Sequence, residues 1–393
     1  MISEEEALQR ILNNASPLPV RCVPLTETLN CFAAEDCIAR TPLPNFDNSS
    51  MDGYAVIASD CRPGQPLRLT GEQPAGLDRR LRVGRGETIR IFTGAPLPAG
   101  ADAVVMQEDV TANGSQILIN TDVEPGEFVR RRGCDVAEGQ KLVGKGERLR
   151  AVNIAALAAQ GFAELEIGGE VTASVLSTGD ELVSPGEQLS PGQIYDSNSV
   201  LLRNLLLQSG ATVLAVEHCA DEEDALIAAL RRLSQNRILL ISGGVSVGQH
   251  DLVKSALKTI GAEINLWRVA IKPGKPFLFG RVADCRVFGL PGNPVSSFVT
   301  FLKFVRPAML RMMGAAENEL GLRQISAHLT EDVAGDGDRP HYIRGKLTAG
   351  EFTPVGRQES HAVVGLSRSN ALLRVPAGGK FLEGELVKAE IWD

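Results

Sequence analysis

The sequence contains no apolar run near the roughly 20 residues that a helix needs to cross a bilayer, which excludes a membrane-spanning helical protein. It has no Cys-x-x-Cys pair. Its seven cysteines, at positions 22, 31, 37, 61, 134, 219 and 285, are odd in number and scattered, against both a disulfide framework and a zinc site and in keeping with a reducing cytosol. The histidines, His218, His250, His328, His341 and His361, share no ligand spacing, so no transition metal held by protein side chains is expected. Positive charge is in deficit, with 40 Lys and Arg against 48 Asp and Glu, a net charge of −8. Such a chain has no general attraction for nucleic acid or acidic membranes, so an anionic ligand must be held by a locally positive pocket. The opening Met1-Ile2-Ser3-Glu4-Glu5-Glu6 is acidic and lacks the basic and apolar regions of a secretory signal, so a cytoplasmic protein is expected.

What is present is globular. Hydrophobic residues make up 44% and charged residues 22%, average for a soluble protein, and 393 residues suggest roughly two to four domains. Residues 3–14 read as an amphipathic helix, with Ser3 and Glu6 in capping-box spacing and Leu8, Ile11 and Leu12 on one face. From about Ala39 to Gly126 short apolar runs alternate with Pro and Gly turns, as in an all-β lobe. Residues 150–160 read as a helix ended by Gly161. From about Val171 to Met313 strand and helix patterns alternate, which predicts an α/β domain with a mainly parallel sheet. One long helix is expected over Pro294–Met312, and Asp221 and Asp224 are expected at the start of the helix near 224–234. After Gly314 short strands return, as in a small C-terminal β domain.

Three glycine-rich turns in the α/β region each follow an apolar strand: Ser177-Thr178-Gly179-Asp180-Glu181, Ser242-Gly243-Gly244-Val245-Ser246-Val247-Gly248, and Leu290-Pro291-Gly292-Asn293-Pro294. Ligands of open α/β sheets bind at the carboxyl ends of strands, so one shared pocket is expected. Glycine lets backbone amides approach oxyanions and hydroxyls add donors, which suits Ser242, Gly243, Gly244, Ser246 and Gly248 to a phosphate. Asp180, Glu181 and Asp251 supply hard oxygen ligands of the kind that hold Mg²⁺ beside substrate phosphates; Asp180 or Glu181 taken alone could cap the next element, but beside a phosphate pocket the metal role is favoured. Lys272-Pro273-Gly274-Lys275-Pro276 places two ammonium groups on a stiff segment, expected to follow a strand over Leu266–Ile271. In the β lobe, Ser50-Met51-Asp52-Gly53-Tyr54-Ala55 carries an acid that is also ordinary turn chemistry before glycine, and Phe92-Thr93-Gly94-Ala95-Pro96 ends a strand on a hydroxyl. Arg130-Arg131-Arg132-Gly133-Cys134-Asp135 is a candidate anion clamp, though a basic triplet more often forms salt bridges.

Taken in order, these motifs resemble the MoeA and gephyrin E-domain family of molybdopterin molybdotransferases, with a likeness running from the first helix to the last strands. The resemblance implies four domains: an elongated linker domain from 1–39 and 127–168, an inserted β lobe at 40–126, a MogA-like α/β domain at 169–314, and a barrel-like β domain at 315–393. It also implies a homodimer with a composite site between the α/β domain of one subunit and the β lobe of the other. The implied reaction joins molybdate and adenylyl-molybdopterin as substrates, releases AMP and uses Mg²⁺. Asp52, Thr93 and Asp135 are implied on the lobe side and Glu181, Asp221, Asp251, Lys272, Lys275, Pro291 and Pro294 on the α/β side, with Gly292 and Arg131 as ligand contacts and Arg344 and Ser360 from the last domain. Partners implied are a molybdopterin adenylyltransferase and molybdoenzyme-maturation proteins. The α/β region alone also resembles molybdopterin adenylyltransferases, and gephyrin-like relatives act as scaffolds; the extra β regions favour the molybdotransferase.

Overall fold

A computed structural model of the chain describes residues 1–244 and 252–392, in two compact units. The smaller comprises Asp36–Val143 and Ala156–Gly161. It is built on a six-stranded sheet of β1 (Gly53–Val56), β2 (Pro66–Gln73), β3 (Glu87–Ile91), β4 (Ala103–Met106), β5 (Val110–Asn113) and β6 (Gln116–Ile119), in the order β4-β1-β3-β2-β6-β5. Side chains alternate across a strand. Accordingly Tyr54 and Val56 enter one apolar cluster while Ala55 enters another, and Val105 and Val104 divide the same way.

The larger unit comprises Met1–Glu35, Gly144–Ala155 and Phe162–Asp393. Its first helix, α1 (Glu4–Asn13), begins as expected, with the Ser3 hydroxyl accepting from the Glu6 amide at 3.1 Å. Such a cap is worth about 1 kcal/mol. The return half of the capping box is not made by Glu6, whose carboxylate instead accepts from Arg10 at 2.6 Å. Helix α2 (Ala151–Ala159) is followed by Gly161 at φ 76°.

The α/β region alternates β7 (Thr172–Thr178), α3 (Ser197–Gln208), β8 (Thr212–Cys219), α4 (Glu223–Leu233), β9 (Ile238–Ser242), α5 (Leu252–Thr259), β10 (Glu263–Arg268), β11 (Pro276–Val282) and β12 (Cys285–Leu290). Its sheet runs β8-β7-β9-β12-β11-β10. The first four strands are parallel, and β9, Ile-Leu-Leu-Ile-Ser, is buried at every residue, as a central parallel strand covered on both faces must be. Two features differ from expectation. The sheet finishes in an antiparallel pair, with β11 running against both β12 and β10. The strand before the lysine segment ends at Arg268, so residues 269–275 form the connection between two paired strands.

The long C-terminal helix of this region is divided. It consists of α6 (Pro294–Thr300), a π-helical stretch over Phe301–Val305 and α7 (Arg306–Met312). Pro307 has no N–H to give and its ring would strike the carbonyl four residues earlier; the chain widens there, and the Arg306 amide reaches the Phe301 carbonyl.

The last region is a closed five-stranded barrel of β13 (Arg323–Leu329), β14 (His341–Thr348), β15 (Glu351–Pro354), β16 (Ala371–Val375) and β17 (Leu386–Ile391), around Phe352, Leu373 and Val387. A buried polar cluster ties it to α1 and to the π-helical stretch. Glu4 accepts from the Tyr342 hydroxyl and from Arg374 Nε at 3.1 Å, while Lys303 Nζ lies 3.0 Å from the Glu390 carboxylate.

Candidate functional site

The three glycine-rich turns meet. Ser177 at the end of β7 pairs with Ser242 at the end of β9, which pairs with Leu290 at the end of β12, so the turns leave one edge of the sheet together. Above that edge lies a cavity of about 1060 Å³, lined by Thr178, Gly179, Glu181, Asp221, the Ser242–Gly244 turn, the Lys272–Pro276 segment and the Pro291–Pro294 turn. Arg339 and the loop from Gln358 to His361 form part of its wall, as does the segment from Ile194 to Asn198.

Glycine is required in the central turn. Gly243 has φ 91°, and a Cβ there would stand 2.3 Å from the Thr178 carbonyl oxygen. Gly243→Ala is expected to displace the turn and weaken the binding of a phosphate-bearing probe in the cavity at least tenfold with little loss of melting temperature, because the strain falls at a loop tip. Calorimetric titration with AMP checks this, and unchanged affinity would remove the turn from the ligand site.

Asn198, in the first turn of α3, joins two of the turns. Its Nδ2 donates to Ser242 Oγ at 2.9 Å and to the Gly292 carbonyl at 2.7 Å, and its buried Oδ1 has no hydrogen-bond partner among the described residues. Nothing in the sequence marks it, because its partners lie 44 and 94 positions away. The third turn is pinned further by Ser297, whose hydroxyl donates to the Pro291 carbonyl, and by Asn293, whose Nδ2 donates to Ser360 Oγ at 2.8 Å. Ser360 therefore belongs to the cavity wall, as do Pro291, Gly292 and Pro294.

The two lysines differ. Lys272 Nζ lies 3.8 Å from Asp336, a carboxylate that also binds Arg339 at 2.6 Å. Lys275 is exposed at the cavity and has no ion-pair partner among the described residues, so its charge is not neutralised there. Behind Lys272 stands His341, 7% exposed, with neither ring nitrogen partnered among the described residues. Burial, and secondarily the Lys272 charge, pull its pKa down to about 4. The folded protein thus keeps His341 neutral while the unfolded chain takes up a proton below about 6.5. Its contribution to stability is full above that pH and is lost as pH falls toward 4, at roughly 1.4 kcal/mol per pH unit. Denaturant unfolding between pH 7 and 4.5 should fall more steeply for the wild type than for His341→Phe. Parallel curves would refute the burial of a neutral imidazole.

Several expected roles change in the structure. Asp221 does not cap α4, whose N-cap is Glu222; its carboxylate accepts from Thr178 Oγ1 at 2.5 Å and lines the cavity. Asp180 lies outside the wall, where Oδ1 accepts from the Asp221 amide at 3.1 Å, so it holds Asp221. Arg344 is fully buried and donates to the carbonyls of Arg357 and Glu359, which supports the Gln358–His361 loop, while its Nε has no hydrogen-bond partner among the described residues. The guanidinium of Arg131 is paired with Asp47 at 2.7 Å, and the same carboxylate accepts from the Arg132 backbone amide at 2.7 Å, so of the triplet Arg131 forms a salt bridge. Ser246, Gly248 and Asp251 lie outside the described residues. Among the described residues no group of three or more His, Cys, Asp or Glu is placed to hold a metal ion.

In the smaller unit Asp52 and Thr93 come together. Asp52 Oδ1 accepts from both the amide and the hydroxyl of Thr93 at 2.8 Å, and these two bonds hold its carboxyl below the usual range. It is a fixed, exposed anion. Asp135 is exposed in the same unit, its amide donating to the Leu43 carbonyl at 3.0 Å.

Family models match along the chain: the MoeA N-terminal region (domain I and II) over residues 2–161, a probable molybdopterin binding domain over 174–311, and the MoeA C-terminal region (domain IV) over 326–392. The molybdopterin molybdenumtransferase of Haemophilus influenzae is 35% identical over 401 residues, covering 99% of this chain and 98% of its own length. That of a Nostoc species is 36% identical over 378 residues, covering 91% and 86%. The crystal structure of a molybdopterin biosynthesis MoeA protein from Pyrococcus horikoshii matches with a TM-score of 0.81 at 32% identity, covering 100% of this chain and 99% of that one.

Proposed function

The chain belongs to the MoeA family, and on that premise we propose that it is a molybdopterin molybdenumtransferase, the activity named for its relatives, joining molybdate to adenylyl-molybdopterin with release of AMP. The observation that carries this reading is the convergence of three glycine turns and Lys275, which has no ion-pair partner among the described residues, on one cavity of about 1060 Å³. Adenylyl-molybdopterin brings phosphates and a dithiolene, and molybdate adds a dianion, so mutual repulsion is the first barrier. Backbone amides of the Ser242–Gly244 turn, the hydroxyl of Ser360, and the ammonium groups of Lys272 and Lys275 offset it before the reaction starts. As the two pterin sulfurs bond molybdenum, one molybdate oxygen leaves as water with the two thiol protons, so the metal is held by the soft pterin sulfurs and not by protein side chains.

Glu181 and Asp221 present carboxylate oxygens to the cavity, a donor set that suits Mg²⁺, which takes one or two carboxylates and completes its shell with phosphates and water. Bound there, Mg²⁺ would supply charge neutralisation to the phosphates. A cavity carboxylate takes the proton of the water that adds across the phosphoanhydride, and AMP leaves. A direct test mixes the protein with adenylyl-molybdopterin, molybdate and Mg²⁺ and follows AMP. Release dependent on molybdate supports the reading. ATP consumption with free molybdopterin would instead indicate the adenylyltransferase step.

The reading extends to a homodimer in which the lobe carrying Asp52, Thr93 and Asp135 serves the cavity of the partner subunit. It keeps the four-part division at 40, 127, 169 and 315, a cytoplasmic location, and a molybdopterin adenylyltransferase and molybdoenzyme-maturation proteins as partners. No described helix is long and apolar enough to cross a membrane. Co-expressed Asp52→Ala and Lys275→Ala chains should recover activity, up to about a quarter of wild type if the two chains pair at random and each cavity draws on both. Purified heterodimers as inactive as either parent homodimer would eliminate the shared arrangement.

A further inference from the structure

A second cavity of about 490 Å³ lies in the larger unit and shares no lining residue with the first. Its wall comes from the loop between Gly144 and Arg150, the first turn of α2, and the segment around Ala316 and Glu319. In a chain of net charge −8 this wall carries three cations, Lys145, Arg148 and Arg150, against two carboxylates, Glu147 and Glu319. Glu147 is committed within the loop, accepting from the Gly144 amide at 2.9 Å and from Asn153 Nδ2 at 3.4 Å.

A fourth cation stands close by. Arg306 donates to two neutral groups, the Leu320 and Gly321 carbonyls at 2.9 and 3.3 Å. Burial pulls its pKa down to about 10, and the Arg148 charge acts in the same direction. Arg148 is itself lowered by burial, with Glu319 opposing and the like charge of Arg150 adding to the effect, and its guanidinium sits 5.2 Å over the Phe32 ring. Like charges held together are relieved when an anion shares them. Arginine forks suit a planar or tetrahedral oxyanion, and the first turn of a helix adds positive potential.

We infer that this cavity binds a phosphate group, free or as the head of a small phosphomonoester, independently of the first site. Its volume is many times the roughly 30 Å³ share of a water molecule, and exposed Val152 with Ala316 gives an organic body an apolar wall. The test is calorimetric titration of the full chain with inorganic phosphate and with phenyl phosphate. Lys275→Gln is used to weaken the first cavity and the double variant Lys145→Gln/Arg150→Gln to weaken the second; all three side chains are exposed, so folding is not at stake.

Phosphate binding is expected to persist in Lys275→Gln and, in that background, to weaken roughly tenfold or more when Lys145 and Arg150 are also replaced. AMP release should be unchanged by the double variant alone. Tighter binding of phenyl phosphate than of phosphate would support a phosphomonoester, and equal binding the free ion. Absence of phosphate binding in Lys275→Gln, or equal affinity after the second-cavity replacements, would overturn the inference.

Discussion

Replacing Lys275 by alanine should lower the rate of AMP release by about 10²-fold or more while leaving the melting temperature within a few degrees. Loss of one preorganised charge or donor at a reacting oxyanion typically costs 10²–10³ in rate. Lys275 is the lysine to which this applies, because it faces the cavity with no ion-pair partner among the described residues. Lys272 already lies 3.8 Å from Asp336, so part of its charge is offset and its replacement should cost less. Lys275→Arg should retain part of the rate, since charge survives but the compact ammonium is replaced by a fork. Single-turnover assays at saturating substrate separate the chemical step from binding. A Lys275→Ala rate within twofold of wild type would remove this residue from catalysis.

Lys303→Ala should destabilise the fold by about 3–5 kcal/mol, the usual cost of removing one member of a buried ion pair. Lys303 Nζ lies 3.0 Å from the Glu390 carboxylate and 3.7 Å from Glu4, and 5.1 Å over the Tyr342 ring. Its side chain is 16% exposed and that of Glu390 10%. The pair therefore sits where a lone carboxylate is costly, at the junction of α1, the π-helical stretch and the barrel. Replacing both members, as Lys303→Met with Glu390→Leu, should recover much of the loss, because the buried charge goes with its partner. Urea unfolding measures both. A Lys303→Ala penalty below 1 kcal/mol would show that the cluster is solvated and does not hold the barrel.

Much of the site was legible because each glycine turn follows a short, mainly apolar strand pattern, and in a parallel sheet such strands end on one edge. The turns after Thr178, Ser242 and Leu290 do so. Their ties were not legible. Asn198 reaches Ser242 and Gly292 only once the sheet has formed. Asp221 reads as a helix cap from its neighbours, yet it is drawn to Thr178, 43 positions away across the sheet. The Arg130–Arg132 triplet reads equally as an anion clamp or a salt bridge until Asp47, 84 positions away, is seen beside Arg131, and the two loop carbonyls that accept from Arg344 are likewise brought to it only by the fold. The antiparallel end of the sheet was hidden for a related reason. A strand's direction depends on its partner, and nothing within Glu263–Arg268 specifies one. The π-helical stretch, by contrast, has a local cause in Pro307 that the apolar pattern of the helix obscures.

The most direct measurement is a crystal structure of the chain with adenylyl-molybdopterin bound. The expected result is electron density for the phosphates between the Ser242–Gly244 turn and Lys275, with the adjoining part of the ligand against Pro291 and Ser360. Density for the phosphates elsewhere, with the cavity filled only by solvent at saturating ligand, would contradict the assignment of these turns to a polyanion.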